Sequence, residues 1–120
     1  MTSSSTVLPM ETLPSGVRYR HWRPDAPPRA VVLLLHGLGE HSGRYQQVAS
    51  LMCRRGFAVL APDHIGHGES PGTRAMVRHF DDYLPAVDAL RDVISEDYPQ
   101  LPCFLLGHSM GGLLAGRVLL

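Results

Sequence analysis

The sequence contains no lysine, only two cysteines and no long apolar run. All eleven basic residues are arginines, and eleven acidic residues balance them to a formal charge of zero. A nucleic-acid-binding domain usually carries a basic face, so this balance argues against that class. Cys53 and Cys103 lie far apart without paired spacing, which excludes the common zinc and redox motifs and a disulfide framework. We therefore expect two reduced thiols and no nucleic-acid partner.

Targeting and membrane-spanning signals are also absent from the sequence. The first six residues are rich in serine and threonine, without the basic run and apolar stretch of a secretory signal. The longest unbroken apolar run, residues 30–35, is far shorter than the roughly 20 residues of a membrane-spanning helix. With 44% apolar and 18% charged residues, the composition is that of a globular protein. These features favour a cytoplasmic location.

Proline and glycine divide the chain into strand and helix patterns. Residues 1–15 are expected to form a loose leader, because Pro9 and Pro14 discourage regular structure. Residues 16–22 alternate weakly between apolar and polar side chains, which is typical of a surface strand. The other strands are predicted to be buried on both faces, as in parallel sheets, and they cover residues 30–35, 57–61 and 103–106.

Helical spacing of apolar residues appears between these strands. Helices are predicted at residues 44–55, within residues 80–94, and from Met110 onward. Pro85 leaves two alternatives for the second helix, a start near Leu84 with proline in the first turn, or a kink. The alternation of strand and helix over residues 16–120 predicts an α/β fold with a mostly parallel sheet flanked by helices.

A nucleophile signature follows the last predicted strand. Gly107-His108-Ser109-Met110-Gly111 has the pattern G-x-S-x-G between a strand and a helix. A sharp turn there holds the serine in a strained conformation with its oxygen exposed, and the two glycines avoid collisions across the turn. The amino end of the next helix adds partial positive charge. We expect Ser109 to be a catalytic nucleophile.

A second glycine-rich motif, His36-Gly37-Leu38-Gly39, follows the first buried strand. Acyl transfer places negative charge on the carbonyl oxygen, and fixed backbone N–H groups stabilise that charge. In this architecture one N–H comes from the residue after the serine and the other from the loop after an earlier strand. The predicted donors are therefore the backbone N–H groups of Met110 and Leu38. His36 is expected to hold the loop in shape.

A third motif combines histidine, glycine and carboxylate residues in one loop. It reads Asp63-His64-Ile65-Gly66-His67-Gly68-Glu69-Ser70. Two histidines beside carboxylates could suggest a metal site, but a glycine-rich loop supplies neither the rigidity nor the spacing of a four-ligand set. We predict a hydrogen-bonded loop beneath the active site, without a metal ion.

The three motifs together resemble those of a known family. The segments are His36-Gly-Leu-Gly-Glu-His-Ser-Gly-Arg-Tyr45, Asp63 to Ser70, and Phe104-Leu-Leu-Gly-His-Ser-Met-Gly-Gly112. They are similar to monoacylglycerol lipases and related lysophospholipases of the α/β-hydrolase superfamily. The resemblance implies a serine hydrolase that cleaves the ester of a single long acyl chain, without a metal or organic cofactor.

The resemblance also places the chain in lipid metabolism and implies roles for two polar residues and for a cap. Glu40 and Arg44 match a glutamate and an arginine that lie near the polar glycerol head, and the alternative for them is a solvent-exposed ion pair. The family has an apolar cap that serves as lid and acyl tunnel. That cap implies peripheral membrane contact, and it belongs to sequence that follows Leu120.

A serine nucleophile requires a general base and an acid that orients the base. In α/β-hydrolases both follow the serine, yet no Asp, Glu or His follows Ser109 here. We therefore expect the chain to be the amino-terminal half of a longer hydrolase, inactive alone, with residues 16–120 lacking the cap and the carboxy-terminal half. The alternatives are another α/β-hydrolase, such as a serine aminopeptidase or thioesterase, or a non-catalytic half-domain that binds a complementary chain.

Overall fold

Six strands form a single mixed sheet in the computed structural model, which describes residues 5–119. Residues 1–4 of the predicted leader and Leu120 lie outside the described residues. The strands are β1 (Ser5–Val7), β2 (Glu11–Thr12), β3 (Arg18–Pro24), β4 (Ala30–Leu35), β5 (Phe57–Pro62) and β6 (Cys103–Gly107). Their order across the sheet is β1-β3-β5-β4-β6, and β2 also pairs with β3.

Residues 5–119 also form three α-helices and two short 3-10 helices, and the last α-helix follows β6. Pro85 lies in the first turn of the second α-helix, where its missing N–H would have had no intrahelical partner, so the helix starts at Leu84 without a kink. No helix within residues 5–119 combines the length and the hydropathy needed to cross a bilayer. The helices are Ser42–Tyr45 (3-10), α1 (Gln46–Arg54), Phe80–Tyr83 (3-10), α2 (Leu84–Asp97) and α3 (Met110–Val118).

Strand β4 is the buried centre of the sheet. All six of its residues are buried, and it pairs in parallel with β5 on one side and β6 on the other. Alternate residues of a strand point to opposite faces. Leu33 accordingly packs with Leu90 of α2, whereas Val32 packs with Ala49 of α1. The α/β fold with its parallel core is therefore confirmed, and the parallel pairing aligns the carboxyl ends of β4 and β6.

The segment before residue 16 differs from the predicted loose leader. Strands β1 and β2 both pair antiparallel with β3, so this part of the chain extends the sheet. Pro9 falls between the two strands and Pro14 follows them. Because proline weakens a ladder only where its missing N–H would have been paired, these positions interrupt the strands without preventing them.

Strand β6 was predicted to be buried on both faces, and that prediction is wrong. Phe104 is 54% exposed and Leu106 is 40% exposed. Both lie on the face of α1, because Phe104 aligns with Val32 and Leu106 with Leu34. Helix α1 packs over β3 and β5, and in residues 5–119 β6 pairs with β4 alone. An apolar run indicates a strand, but it does not indicate how many neighbours the strand has.

The core assignment predicts a contrast between two leucines. Leu90→Ala in α2 removes a side chain that is fully buried, and we expect it to lower the free energy of unfolding by about 2–5 kcal/mol. Leu51→Ala in α1 removes a side chain that is 58% exposed, and we expect a much smaller change. Urea denaturation followed by circular dichroism measures both. Equal losses would show that α2 does not pack as described.

Candidate active site

Ser109 lies in a strained turn between β6 and α3. Its backbone has φ 56° and ψ −117°, a left-handed conformation that residues with a side chain rarely adopt. Gly111 N–H donates to the His108 carbonyl at 2.9 Å, and Gly112 N–H donates to the Ser109 carbonyl at 2.9 Å. These bonds lead directly from the turn into the helix. The strand-turn-helix arrangement expected around a nucleophilic serine is therefore present at Ser109.

The glycines on either side of Ser109 are required by close backbone contacts. A Cβ atom at Gly111 would lie less than 3.0 Å from the carbonyl oxygens of Leu35 and His36. A Cβ at Gly107 would lie less than 3.0 Å from the backbone of Gly111. The turn thus packs backbone against backbone at the end of β4, and any side chain at either glycine would force it away.

The loop after β4 touches the turn at Ser109. A methyl group at Gly37 would lie 3.3 Å from Ser109 Cβ and 3.2 Å from the His108 carbonyl oxygen. The next residue in this loop is Leu38, and Gly39 follows it with φ 78°. The two segments that carry the predicted N–H donors therefore lie side by side, as the sequence motifs require.

The N–H groups of Leu38 and Met110 are left free by the backbone hydrogen bonds around them. In the loop, Glu40 N–H donates to the Gly37 carbonyl at 3.2 Å. Met110 opens α3, where the first N–H groups of a helix have no intrahelical acceptor. Within the described part of the chain, no backbone bond outside the regular elements uses either N–H.

Three histidines pack together beneath the loop. His36 Nδ1 lies 2.7 Å from the Gly37 carbonyl oxygen, and His36 Nε2 accepts from His64 N–H at 3.0 Å. These partners assign the proton of His36 to Nδ1. His64 Nε2 in turn lies 3.0 Å from the His36 carbonyl oxygen. Burial, together with the neighbouring His36, lowers the pKa of His64 to about 3, so this imidazole is neutral near pH 7.

The third histidine of the group, His67, is also buried. Its Nδ1 lies 3.0 Å from the Ile65 carbonyl oxygen, and its Nε2 has no hydrogen-bond partner among the described residues. Gly66, which precedes it, has φ 75° and lies against the Thr73 carbonyl. Across residues 5–119, no group of three His, Cys, Asp or Glu side chains is placed to hold a metal ion.

Asp63 is a buried carboxylate that ties this loop to the segment after β4. Its Oδ1 accepts from Ser42 N–H at 2.7 Å and from the Ser42 hydroxyl at 2.6 Å, and its Oδ2 accepts from Glu69 N–H at 2.9 Å. Burial alone would raise the pKa of Asp63, but the hydrogen bonds from Glu69 and Ser42 lower it overall. A Cβ at Gly68 would collide with the carboxylate, which explains the glycine there.

Glu40 faces the loop and Arg44 faces solvent. The Glu40 side chain is 17% exposed and its Oε2 lies 3.8 Å from Arg44 Nη1, whereas the Arg44 side chain is 62% exposed. Glu40 Oε1 accepts from the Tyr45 hydroxyl at 2.7 Å and from Gly37 N–H at 2.8 Å. These two hydrogen bonds, the one from Tyr45 first, lower the pKa of Glu40 to about 2.

Sequence reasoning missed Ser42 and Tyr45 as parts of this network. Ser42 is buried against Asp63, yet a serine inside a glycine-rich motif has no pattern that distinguishes a buried hydroxyl from an exposed one. Tyr45 falls within the helix that apolar spacing predicts at residues 44–55. Its hydroxyl instead donates to Glu40. The sequence feature that could have indicated this hydrogen bond is that the two residues lie five positions apart in one motif.

The described residues do not supply a base for Ser109. Within residues 5–119, the Ser109 hydroxyl makes no hydrogen bond to a histidine or a carboxylate. The adjacent imidazole of His108 lies 3.4 Å from Glu40 Oε1. The site therefore contains an exposed serine and free N–H groups, without a proton acceptor placed on the serine.

Comparisons with known proteins identify relatives of this chain. A sequence profile described as serine aminopeptidase, S33, matches residues 26–120. Human monoglyceride lipase is 46% identical over 96 residues, which cover 80% of this chain and 32% of the human protein. The monoacylglycerol lipase of Mycolicibacterium smegmatis is 46% identical over 99 residues, covering 81% of this chain and 35% of that protein.

The solved structures that are similar to this chain also include a monoacylglycerol lipase. The monoacylglycerol lipase of Paleococcus ferrophilus superposes with a TM-score of 0.68 and 40% sequence identity, over 84% of this chain and 36% of that one. The chain thus spans about a third of the length of the curated relatives that it matches.

The packing of the turn predicts opposite effects for two glycines of α3. Gly111→Ala places a methyl group against the Leu35 carbonyl, and we expect it to lower the free energy of unfolding by more than about 2 kcal/mol. Gly116→Ala is the matched control, since a Cβ there meets nothing within 4 Å and alanine favours a helix by about 0.5–1 kcal/mol. Urea denaturation of both variants gives the comparison. A stable Gly111→Ala protein would contradict the described turn.

The hydrogen bonds of Asp63 predict a pH dependence of stability. A carboxylate whose folded pKa is lowered stabilises the fold above its ordinary pKa and loses that contribution as pH falls through the folded value. We expect Asp63→Asn to cost about 2–3 kcal/mol near pH 7 and to lose less stability than the wild type as the pH falls below the ordinary aspartate pKa of about 4. The control is Asp88→Asn at an exposed position of α2. Parallel pH profiles for Asp63→Asn and the wild type would contradict this role.

Proposed function

We propose that this chain, which belongs to the serine aminopeptidase S33 family of α/β-hydrolases and is similar to monoglyceride lipase, carries the nucleophile of a lipid ester hydrolase. The observation that carries this proposal is the strained backbone of Ser109 beside the loop of Gly37 and Leu38. A serine in that conformation presents its hydroxyl to a substrate, and the neighbouring N–H groups stabilise negative charge.

The proposed reaction proceeds through an acyl-enzyme. Ser109 Oγ attacks the ester carbonyl, and the N–H groups of Leu38 and Met110 hold the oxyanion that forms. Collapse of this intermediate breaks the bond to the alcohol, which leaves with a proton, and the acyl group stays on Ser109. Water then attacks the acyl-enzyme and releases the fatty acid. The reaction needs neither a metal ion nor an organic cofactor.

The substrate proposed is the ester of a single acyl chain, such as a monoacylglycerol. Support comes from the relatives named as monoglyceride and monoacylglycerol lipases, each 46% identical to this chain over the aligned residues. The description of the matching profile favours a second candidate, a serine aminopeptidase, which would use the same serine and donors. A higher rate on an aminoacyl anilide than on a monoacylglycerol would favour the second.

Proton transfer from Ser109 requires a base and an acid, which Ser109 does not contact among residues 5–119. A serine without a base is a weak nucleophile, and removal of the base from a triad lowers the rate by several orders of magnitude. We therefore propose that the 120 residues alone do not turn over esters. In an active hydrolase that contains them, other residues would supply the base and the acid.

A hybrid enzyme tests the role of Ser109. In human monoglyceride lipase, the matched segment of 96 residues is replaced by the corresponding residues of this chain. We expect the hybrid to hydrolyse a monoacylglycerol and Ser109→Ala to reduce the rate by at least about 10³-fold. The control is Ser95→Ala, an exposed serine of α2, which should leave the rate unchanged.

The isolated chain is measured in a second assay. We expect its rate on a short-chain nitrophenyl ester to equal that of its own Ser109→Ala variant. Two results would contradict the proposal. Equal activity of the hybrid with and without Ser109 would exclude this serine as the nucleophile, and Ser109-dependent turnover by the isolated chain would show that it already contains a base.

A further inference from the structure

We propose that Glu40 is a positioning residue that fixes the loop of residues 37–40 against the turn of residues 107–111. This inference rests on the proposed function, because those two segments carry the proposed oxyanion donors Leu38 and Met110. In this assignment Glu40 orients the donor loop and does not bind the substrate head group. Several groups of the protein meet on a single oxygen of its carboxylate.

The first contact closes the loop on itself. Glu40 Oε1 accepts from Gly37 N–H at 2.8 Å, and Glu40 N–H donates to the Gly37 carbonyl at 3.2 Å. These reciprocal bonds fix the two ends of a four-residue loop. Leu38 lies between them, so the direction of its N–H is set by the bonds on either side.

The second contact anchors the loop to the sheet. The Tyr45 hydroxyl donates to the same Oε1 at 2.7 Å. Tyr45 ends the 3-10 helix at Ser42–Tyr45 and packs against the apolar cluster that contains Trp22 and Ala49. The loop is therefore tied through Glu40 to a side chain that the core holds in place.

The third contact reaches the turn that carries Ser109. His108 Nδ1 lies 3.4 Å from Glu40 Oε1. The His108 side chain is 65% exposed and that of Glu40 is 17% exposed, so the carboxylate is the sheltered partner. His108 directly precedes Ser109, and its N–H is bound to the Leu35 carbonyl at 3.1 Å. One carboxylate oxygen thus joins the loop, the 3-10 helix and the turn.

The geometry favours this role over contact with a substrate. Oε1 is already occupied by groups of the protein, and Oε2 faces Arg44 at 3.8 Å. Arg44 is mostly exposed, and an exposed ion pair at that distance contributes little to stability. If Glu40 positions the donors, its removal lowers the rate of the chemical step. If it binds the head group, its removal weakens substrate binding instead.

The first test is spectroscopic and uses the 120-residue chain. An amide proton bound to a carboxylate resonates far downfield in a ¹H–¹⁵N spectrum. We expect Glu40→Gln to move the Gly37 amide resonance upfield and to shift the resonances of Leu38, Ser109 and Met110. Glu96→Gln, the same change at an exposed glutamate of α2, should leave all four in place. Unchanged Ser109 and Met110 resonances in Glu40→Gln would overturn the proposal.

The second test is kinetic and uses the hybrid enzyme. We expect Glu40→Gln to lower kcat about 10- to 100-fold with KM nearly unchanged, because displaced donors lose part of their effect. Glu96→Gln, at an exposed glutamate of α2, should retain both constants. A raised KM with unchanged kcat in Glu40→Gln would overturn the proposal and indicate a head-group contact.

Two further measurements distinguish failure of the proposed role of Glu40 from failure of the proposed function or of folding. Tyr45→Phe removes one of the three contacts without changing charge, so it provides the same comparison if Glu40→Gln does not fold, with a smaller fall in kcat expected. No fall in kcat for that variant would then count against the proposal. A hybrid that is inactive with Glu40 in place would contradict the proposed function, and the spectra alone would then decide the position of Glu40.

Discussion

The turn that carries Ser109 packs against the carboxyl end of β4 with no side chain between the two backbones. Parallel pairing aligns Leu35 with Gly107, and the first turn of α3 then crosses the Leu35 carbonyl at Gly111. Only glycine permits this approach, and the approach places the start of α3 beside the loop after β4. The strain of Ser109 and the closeness of Gly37 to Ser109 both follow from this one contact.

A layer of polar groups beneath the loop keeps that arrangement rigid. His36 and His64 exchange hydrogen bonds with each other's backbone, and Asp63 receives three N–H or O–H groups from Ser42 and Glu69. The pKa of His64 is lowered by burial and that of Asp63 by its hydrogen bonds, so near pH 7 the imidazole is neutral and the carboxylate is ionised. Buried polar groups with satisfied partners of this kind specify one conformation.

Much of this structure can be predicted from the sequence, because its signals are local. The solid apolar run at β4 indicates a strand buried on both faces, and the same six residues form it. The burial of β6 could not be predicted in this way, since exposure of Phe104 and Leu106 depends on which elements lie beside them. The inward orientation of Glu40 was equally hidden, because its partners Tyr45 and His108 meet it only after folding.

In the proposed reaction, Ser109 attacks a carbonyl whose oxyanion is held by two backbone N–H groups. A crystal structure of the hybrid enzyme after reaction with a fluorophosphonate tests this step. We expect a covalent bond from phosphorus to Ser109 Oγ, with one phosphonyl oxygen about 2.7–3.1 Å from the nitrogens of both Leu38 and Met110. A label on another residue, or a phosphonyl oxygen bound away from both nitrogens, would contradict it.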